Sequence, residues 1–500
     1  MQILRWLITF ALPVACLEML PSNLTSIFDA QNTVIKGMLV YCPWIHNVSG
    51  STPGMFQAPY YWWEAGVAWS AMIDWSVVSG NDTYNDWIKE AIQFQSGTNW
   101  DFMTENQTSV EGNDDQGFWG ITVMNAAEKN FTQPDKGYPP WLYFAQATFN
   151  KIAGRWDTTL CGGGLKWQIF PWNAGYDYKN MVSNGVLFHM AARLARFTNN
   201  DSYVDWSEKV WKWARGVNFL SPIYPDATNN FDMYMRVYDG AHTTDNCTDI
   251  ATAEWTYDQG LMISGCAYLY NYTGDSVWLD RVDQLWSRAT SMFGTDNSTY
   301  FPGSKILYEP SCMTADESIV SCSNDQRVFK GIMLRFLGIS MQVAPVLRET
   351  FFEYITITAP AASWSCFGGT DGVSCGLSWL HQGWDGWYGR GEQICALDAF
   401  NTLIYDRFDG PYKASDLPEI YTVNNSTSSG SNSSDSGSSS GNSSSGSSGT
   451  VYGWGNEAGM NSSQVESQKL DLDNGDVAGA GVLTAFVLLL IIGGSAWLVL

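Results

Sequence analysis

Two acidic residues stand side by side in the stretch EGNDDQGFWG, residues 111–120, with glycines and aromatic residues on either side. Adjacent carboxylates repel, so Asp114 and Asp115 need a reason to be neighbours. Capping of a helix start is one, because Asp accepts hydrogen bonds from orphan backbone amides. Calcium binding is another, but the DxDxDG spacing is absent and the remaining acids are scattered. Acid–base or nucleophilic chemistry is the third. Inside a helix, consecutive side chains diverge by about 100°, whereas at the cap and first position rotamers can turn both carboxylates to one mouth. Gly112 permits unusual backbone angles there, and Gly117 leaves room for a ligand. A helix start favours an ionised carboxylate, while repulsion and burial beside Phe118 or Trp119 make the other hold its proton. Their titration then belongs to the pair. Cleavage of a glycosidic bond uses such a division: one carboxylate attacks or assists the anomeric carbon, and the other protonates the departing oxygen. A separation of about 5 to 5.5 Å implies retention through a covalent intermediate, and about 6.5 to 9.5 Å implies inversion. Adjacency favours the short distance and leaves open which Asp takes which role.

Other polar and aromatic positions are candidates for sugar binding. Asp258 in EWTYDQG and Asp325 in CSNDQ occupy comparable helix starts, where ordinary capping is the competing role. Lys179, Asn180 and Asn184 open another helix, and a buried capping network would equally account for them. Trp62, Trp63, Trp119, Tyr257, Trp384 and Trp387 can stack on sugar faces, although core packing accounts for any single ring. In WLHQGWDGWYGRGEQ, residues 379–393, glycines alternate with aromatics, and His381, Asp385 and Arg390 become rim candidates. No Ser/Cys/His arrangement resembles a triad, no phosphate loop follows a strand, and no cofactor or metal is expected.

Helices must position these groups. TYNDWIKEAIQFQSG, PPWLYFAQATFNKIAGRW, SYVDWSEKVWKWARGV and VWLDRVDQLWSRATSMF place apolar residues three or four apart with charges between, the pattern of a half-buried surface helix. A second set is apolar or small on most sides and predicts enclosed helices beginning near residues 60, 114, 178, 256, 325 and 389. The two sets alternate, and starts spaced by about 54 to 78 residues suggest repeated helix hairpins. Six inner helices with outer partners predict an all-α fold, an (α/α)6 barrel, with an open solenoid of helix pairs as the alternative. If the inner helices run parallel, their polar starts converge in one cleft.

The 500-residue chain carries 50 Asp and Glu against 26 Lys and Arg, a formal charge of −24 that opposes nucleic-acid binding. Its 25 Trp and 24 Tyr exceed what a core normally needs and suit sugar surfaces. Residues 1–16 read as a secretory signal, 17–421 as the catalytic domain, and the Ser/Gly/Asn-rich 422–474 as a flexible tether spanning roughly 40 Å. Small residues at Asn474 and Gly475, followed by an apolar end, predict glycosylphosphatidylinositol (GPI) attachment at Asn474 with removal of 475–500. Sequons begin at Asn23, Asn47, Asn81, Asn106, Asn130, Asn200, Asn246, Asn271 and Asn297, all expected on the surface of a secreted glycoprotein. In that oxidising compartment most of the nine cysteines after Cys16 should pair, and Cys312 with Cys322 and Cys366 with Cys375 could each close a short loop.

The motifs YYWWEAG, EGNDDQGFWG, DYKNMVSNG, EWTYDQG and NDQRVFKGIMLR occur in order, and over residues 20–410 the chain resembles glycoside hydrolase family 76, in particular its GPI-anchored fungal cell-wall branch. The resemblance implies an (α/α)6 barrel and retaining chemistry on α-1,6-mannosidic linkages, of the mannan endo-1,6-α-mannosidase type. Motif for motif, it makes Asp114 the nucleophile and Asp115 the general acid/base. The fungal branch further implies cleavage of the mannose-containing GPI glycan and transfer of the attached protein to cell-wall β-glucan; the chain itself is expected to be a monomer. Simple hydrolysis of α-1,6-mannan and a non-catalytic mannan-binding scaffold are the competing readings.

Overall fold

The computed structural model describes residues 17, 19–224, 233–294, 304–381 and 383–421. The expected signal (1–16), tether (422–474) and anchor segment (475–500), with Asn297 and Asn474, lie outside the described residues. Among the described residues no helix is long and apolar enough to cross a membrane.

The molecule is all-α in its framework. In chain order the long helices are α1 (Leu24–Leu39), α2 (Trp62–Ser79), α3 (Asn85–Gln95), α4 (Asn113–Glu128), α5 (Trp141–Ala153), α6 (Met181–Thr198), α7 (Ser202–Gly216), α8 (Thr256–Thr273), α9 (Ser276–Ala289), α10 (Phe329–Val343), α11 (Arg348–Trp364) and α12 (Arg390–Leu403). The even-numbered helices are the enclosed set. Every residue of α12 is buried, and α4 exposes only Asp114 and Asp115 in part. Small residues let these helices approach closely: a Cβ on Gly331 of α10 would lie 2.6 Å from Cys395 Cα on α12, and one on Gly117 of α4 would lie 2.5 Å from a Val186 methyl on α6. The odd-numbered helices bury one stripe. In α7 the apolar face is Tyr203, Trp206, Val210, Trp211, Trp213 and Ala214, and the Glu208–Lys212 pair lies outside.

Inner helices touch in the order α2, α4, α6, α8, α10, α12, and α12 returns to touch α2. Outer helices lean on their neighbours: α3 on α2, α5 on α4, α7 on α6, α9 on α8, and α11 and α1 on α12. Away from the helix starts, charged side chains meet inside this bundle. Lys129 pairs with Asp74, Arg193 with Glu128 at 2.6 Å, and Arg335 with Asp398 at 2.9 Å, while Tyr405 donates to Asp74 at 2.6 Å and Tyr268 to Glu128 at 2.8 Å. Each partner is buried, so each charge depends on its mate.

Short strands decorate the loops: β1 (Tyr178–Asn180), β2 (Leu220–Ile223), β3 (Tyr234–Val237), β4 (Gly240–His242) and β5 (Ile250–Ala251). β1, β4 and β5 form one antiparallel sheet in that order, and β2 and β3 form another. Cys312–Cys322 and Cys366–Cys375 close the two expected short loops. A third bridge, Cys161–Cys247, ties the loop after α5 to the one after β4, and Cys42, Cys266 and Cys395 are buried thiols.

Candidate active site

The starts of five inner helices converge on one cleft of about 460 Å³. Trp62 and Trp63 come from α2; Asp114, Asp115 and Phe118 from α4; Asn180 and Val182 from the start of α6; Tyr257 from α8; and Asp325 and Phe329 from the turn into α10. Trp63 and Phe118 are 4.8 Å apart between ring centres, and Tyr257 stacks on Phe329 at 3.7 Å, so aromatic rings line the cleft beside the acids. Among the described residues, none of those lining the cleft is basic.

Gly112 precedes α4 in extended backbone, and its N–H donates to Asp115 Oδ2 at 2.6 Å, the return half of a capping arrangement. A methyl group on Gly112 would lie 2.3 Å from Asp114 Oδ1 and 3.2 Å from Asp115 Oδ2, so both carboxylates share one side of that residue. Asp114 Oδ1 is buried without a hydrogen-bond partner. Burial, then the neighbouring Asp115 charge, hold Asp114 well above the usual carboxylate range. Burial likewise pushes Asp115 up to about 7, against the Gly112 N–H, with Asp325 and Glu64 adding to the rise. The pair therefore keeps a proton at pH values where a solvated Asp would have lost it.

Two features of the site were not singled out in the sequence. Arg155, just beyond α5, donates from Nε to Asn113 Oδ1 at 2.7 Å and from Nη2 to Gln116 Oε1, clamping the residues that flank the acidic pair. Glu111 lines the cleft with only 1% of its surface exposed, and neither of its oxygens has a partner. Burial raises it well above the ordinary range despite the Arg155 charge. The EGNDD sequence carried its signal, an acid three residues before the pair. Arg155 had none, because its partners lie about forty positions away.

Of the expected sugar-binding residues, Trp63, Asn180, Tyr257 and Asp325 line the cleft. Asp325 accepts from the Trp63 indole at 3.2 Å and is pushed up to about 6, chiefly by burial. Trp62, another stacking candidate, also lines it, and the remaining candidates lie elsewhere. Trp119 is wholly buried and stacks on Phe102 at 5.3 Å. Lys179 donates to the carbonyls of Asp157, Leu160 and Gly163 and pairs with the Asp157 carboxylate, so its ammonium serves the loop after α5. Asn184 is consumed by both backbone groups of Leu165 and the carbonyl of Asn180. Asp258 sits one residue behind Tyr257, buried, with neither oxygen partnered and its carboxyl held well above the usual range by burial.

Of the rim, residues 379–381 and 383–389 form a loop outside the cleft lining, and α12 begins at Arg390. Asp385 accepts from the amides of Leu377, Ser378 and Trp387, and the Trp384 indole donates to Trp387 O. His381 lies 3.1 Å from Glu317, and Arg390 pairs with buried Glu64. Among the sequons, Asn23, Asn47, Asn106, Asn130, Asn246 and Asn271 are exposed, and Asn81 and Asn200 are half-buried. Among the described residues no cluster of His, Cys, Asp and Glu is arranged to hold a metal ion.

The sequence pattern of glycosyl hydrolase family 76 matches residues 26–415. Mannan endo-1,6-alpha-mannosidase DCW1 of Saccharomyces cerevisiae is 43% identical, over 95% of this chain and 94% of that protein. Mannan endo-1,6-alpha-mannosidase DFG5 of the same yeast is 42% identical, over 95% and 92% respectively. The crystal structure of Dfg5 from Chaetomium thermophilum in complex with glucosamine superposes with a TM-score of 0.71 at 34% identity, covering 79% of this chain and 94% of that one. The GH76A α-1,6-mannanase of a Salegentibacter species has the same fold at 17% identity, with a TM-score of 0.56, covering 75% and 98%.

Proposed function

Because the chain belongs to glycosyl hydrolase family 76, we propose that it is an α-1,6-mannan-directed glycosidase of the endo type that works with retention through Asp114 and Asp115. The observation that carries this reading is the coupled carboxylate pair at the start of α4, opening into a cleft walled by aromatic rings. In the first step, with the pair's shared proton on Asp115, the ionised Asp114 bonds the anomeric carbon, the glycosidic C–O bond breaks, and Asp115 gives its proton to the leaving oxygen. In the second, Asp115 takes a proton from the incoming hydroxyl, which displaces Asp114. The Gly112 N–H engages one oxygen of Asp115 and leaves the other for proton transfer. Trp63, Asn180, Tyr257 and Asp325 bind the sugar, as does Glu111. The cyclic order of inner-helix contacts supports a closed (α/α)6 toroid as the scaffold.

In this reading the incoming hydroxyl belongs to a sugar as well as to water. The donor is a mannose-containing GPI glycan and the acceptor a cell-wall β-glucan. The chain is secreted, glycosylated at its exposed sequons, and held at the outer face of the plasma membrane by a lipid at Asn474. The names of the yeast relatives favour plain hydrolysis of mannan as the second reading. Incubation with a mannose-containing GPI glycan and a β-glucan acceptor separates the two by product: linked glycan for transfer, free glycan for hydrolysis. The anomeric configuration of the first product, read by NMR, tests retention. Absence of both products from folded protein refutes the catalytic reading and leaves a mannan-binding scaffold.

A further inference from the structure

Residues 166–177 connect the disulfide-tied loop to β1, and part of this segment forms a wall of the cleft. Trp167, Gln168 and Asn173 line it, and Asn173 Nδ2 donates to Gln168 Oε1 at 3.1 Å. Between Gln168 and Asn173 the chain presents a second pair of rings. Phe170 and Trp172 stack 4.9 Å apart with their planes 19° from parallel, so one face of the indole is covered. Trp172 is nevertheless 58% exposed, which leaves its other face to solvent. The return of the segment is fixed by Gly175, at φ +92°: a Cβ there would come within 2.3 Å of the Trp167 ring. Single exposed aromatics are ordinary on protein surfaces. This one is held flat by a second ring and joined, through the Gln168–Asn173 hydrogen bond, to residues inside the cleft. A flat open indole beside amide side chains matches a pyranose, which offers a C–H face to a ring and hydroxyls to its neighbours.

We propose that the Phe170–Trp172 ledge is an outer subsite that stacks a hexopyranose of a glycan chain running out of the cleft. The assignment to a mannose chain rests on the function proposed above. Affinity should therefore grow with chain length, and Trp172 should carry that growth. The test uses the full chain with Asp114→Asn, which halts turnover, and titration calorimetry with α-1,6-mannotriose and with a linear α-1,6-mannan backbone. Trp172→Ala should raise Kd for the polymer about tenfold and leave Kd for mannotriose unchanged, while Trp172→Phe should stay within about threefold of the parent. Equal effects on both ligands, or no effect on either, would overturn the subsite. Binding of neither ligand with Trp172 intact would instead overturn the mannan reading and, with it, the assignment of the ledge to that chain.

Discussion

Replacing Asp115 by Asn should make the protein inactive and, near neutrality, more stable. Asp115 is raised to about 7 in the folded chain, mainly because it is buried beside other acids. In the unfolded chain an Asp titrates near 3.9. Between roughly pH 4 and 7 the native state therefore binds more protons than the unfolded state, and its stability falls as pH rises through that window. At 1.36 kcal/mol per unit, the folded carboxylate costs about 4 kcal/mol at pH 7.5 and about 1 kcal/mol at pH 4.5. Asp115 keeps part of its surface in contact with cleft water and shares its proton with Asp114, so about half of this is the better expectation. An Asn at this position is neutral and can still accept from the Gly112 N–H, leaving the cap in place. The expected gain is about 2 kcal/mol at pH 7.5, shrinking below about 0.5 kcal/mol at pH 4.5. Denaturant unfolding of parent and variant at the two pH values measures it. A gain independent of pH, or a loss at pH 7.5, would refute the account of Asp115 as a carboxylate kept protonated by its surroundings.

The rate should peak on the acid side of neutrality: kcat/KM falls above about pH 7 as the pair loses its shared proton, and Asp325→Asn moves that limb to lower pH by removing a charge that raises Asp115. Arg155→Gln should lower kcat by about ten- to a hundredfold with little change in KM, because the residues flanking the pair lose their common clamp; circular dichroism checks that the fold survives. Lys129→Met leaves Asp74 buried beside a lost partner and should cost about 3 kcal/mol in denaturant unfolding at pH 7.

The helix framework was readable because enclosed helices need apolar or small residues on every side, and that pattern survives in one dimension. Starts expected near 60, 114, 178, 256, 325 and 389 are found at 62, 113, 181, 256, 329 and 390. The shift at 325 has a local cause, since a 3-10 turn at Gln326–Val328 precedes the α-helix. Polar groups in a first turn proved harder to read, because the same residue can face the cleft or the loop beneath it. Asn180 does the first and Lys179 the second, and only the fold of the loop after α5 decides between them. The Cys161–Cys247 bridge spans 86 positions, too far for spacing to suggest it, whereas the two loops of nine and ten positions could be read directly. The glycine-rich rim at 379–393 looked like a binding loop because Gly and Trp alternate there. Its hydrogen bonds turn inward, with Asp385 holding the amides of Leu377 and Ser378 just before the rim and of Trp387 within it.

Asp115 answers to two constraints at once, since the backbone of α4 begins on one of its oxygens. A lineage descended from this chain that abandoned turnover would be freer to drift at position 114, which does not hold the Gly112 amide that opens the helix. At 115 it would have to retain an acceptor. Asn or Asp surviving there beside a decayed 114 would mark a pseudoenzyme, and the order of decay at these two adjacent positions would record which of them the fold still needed.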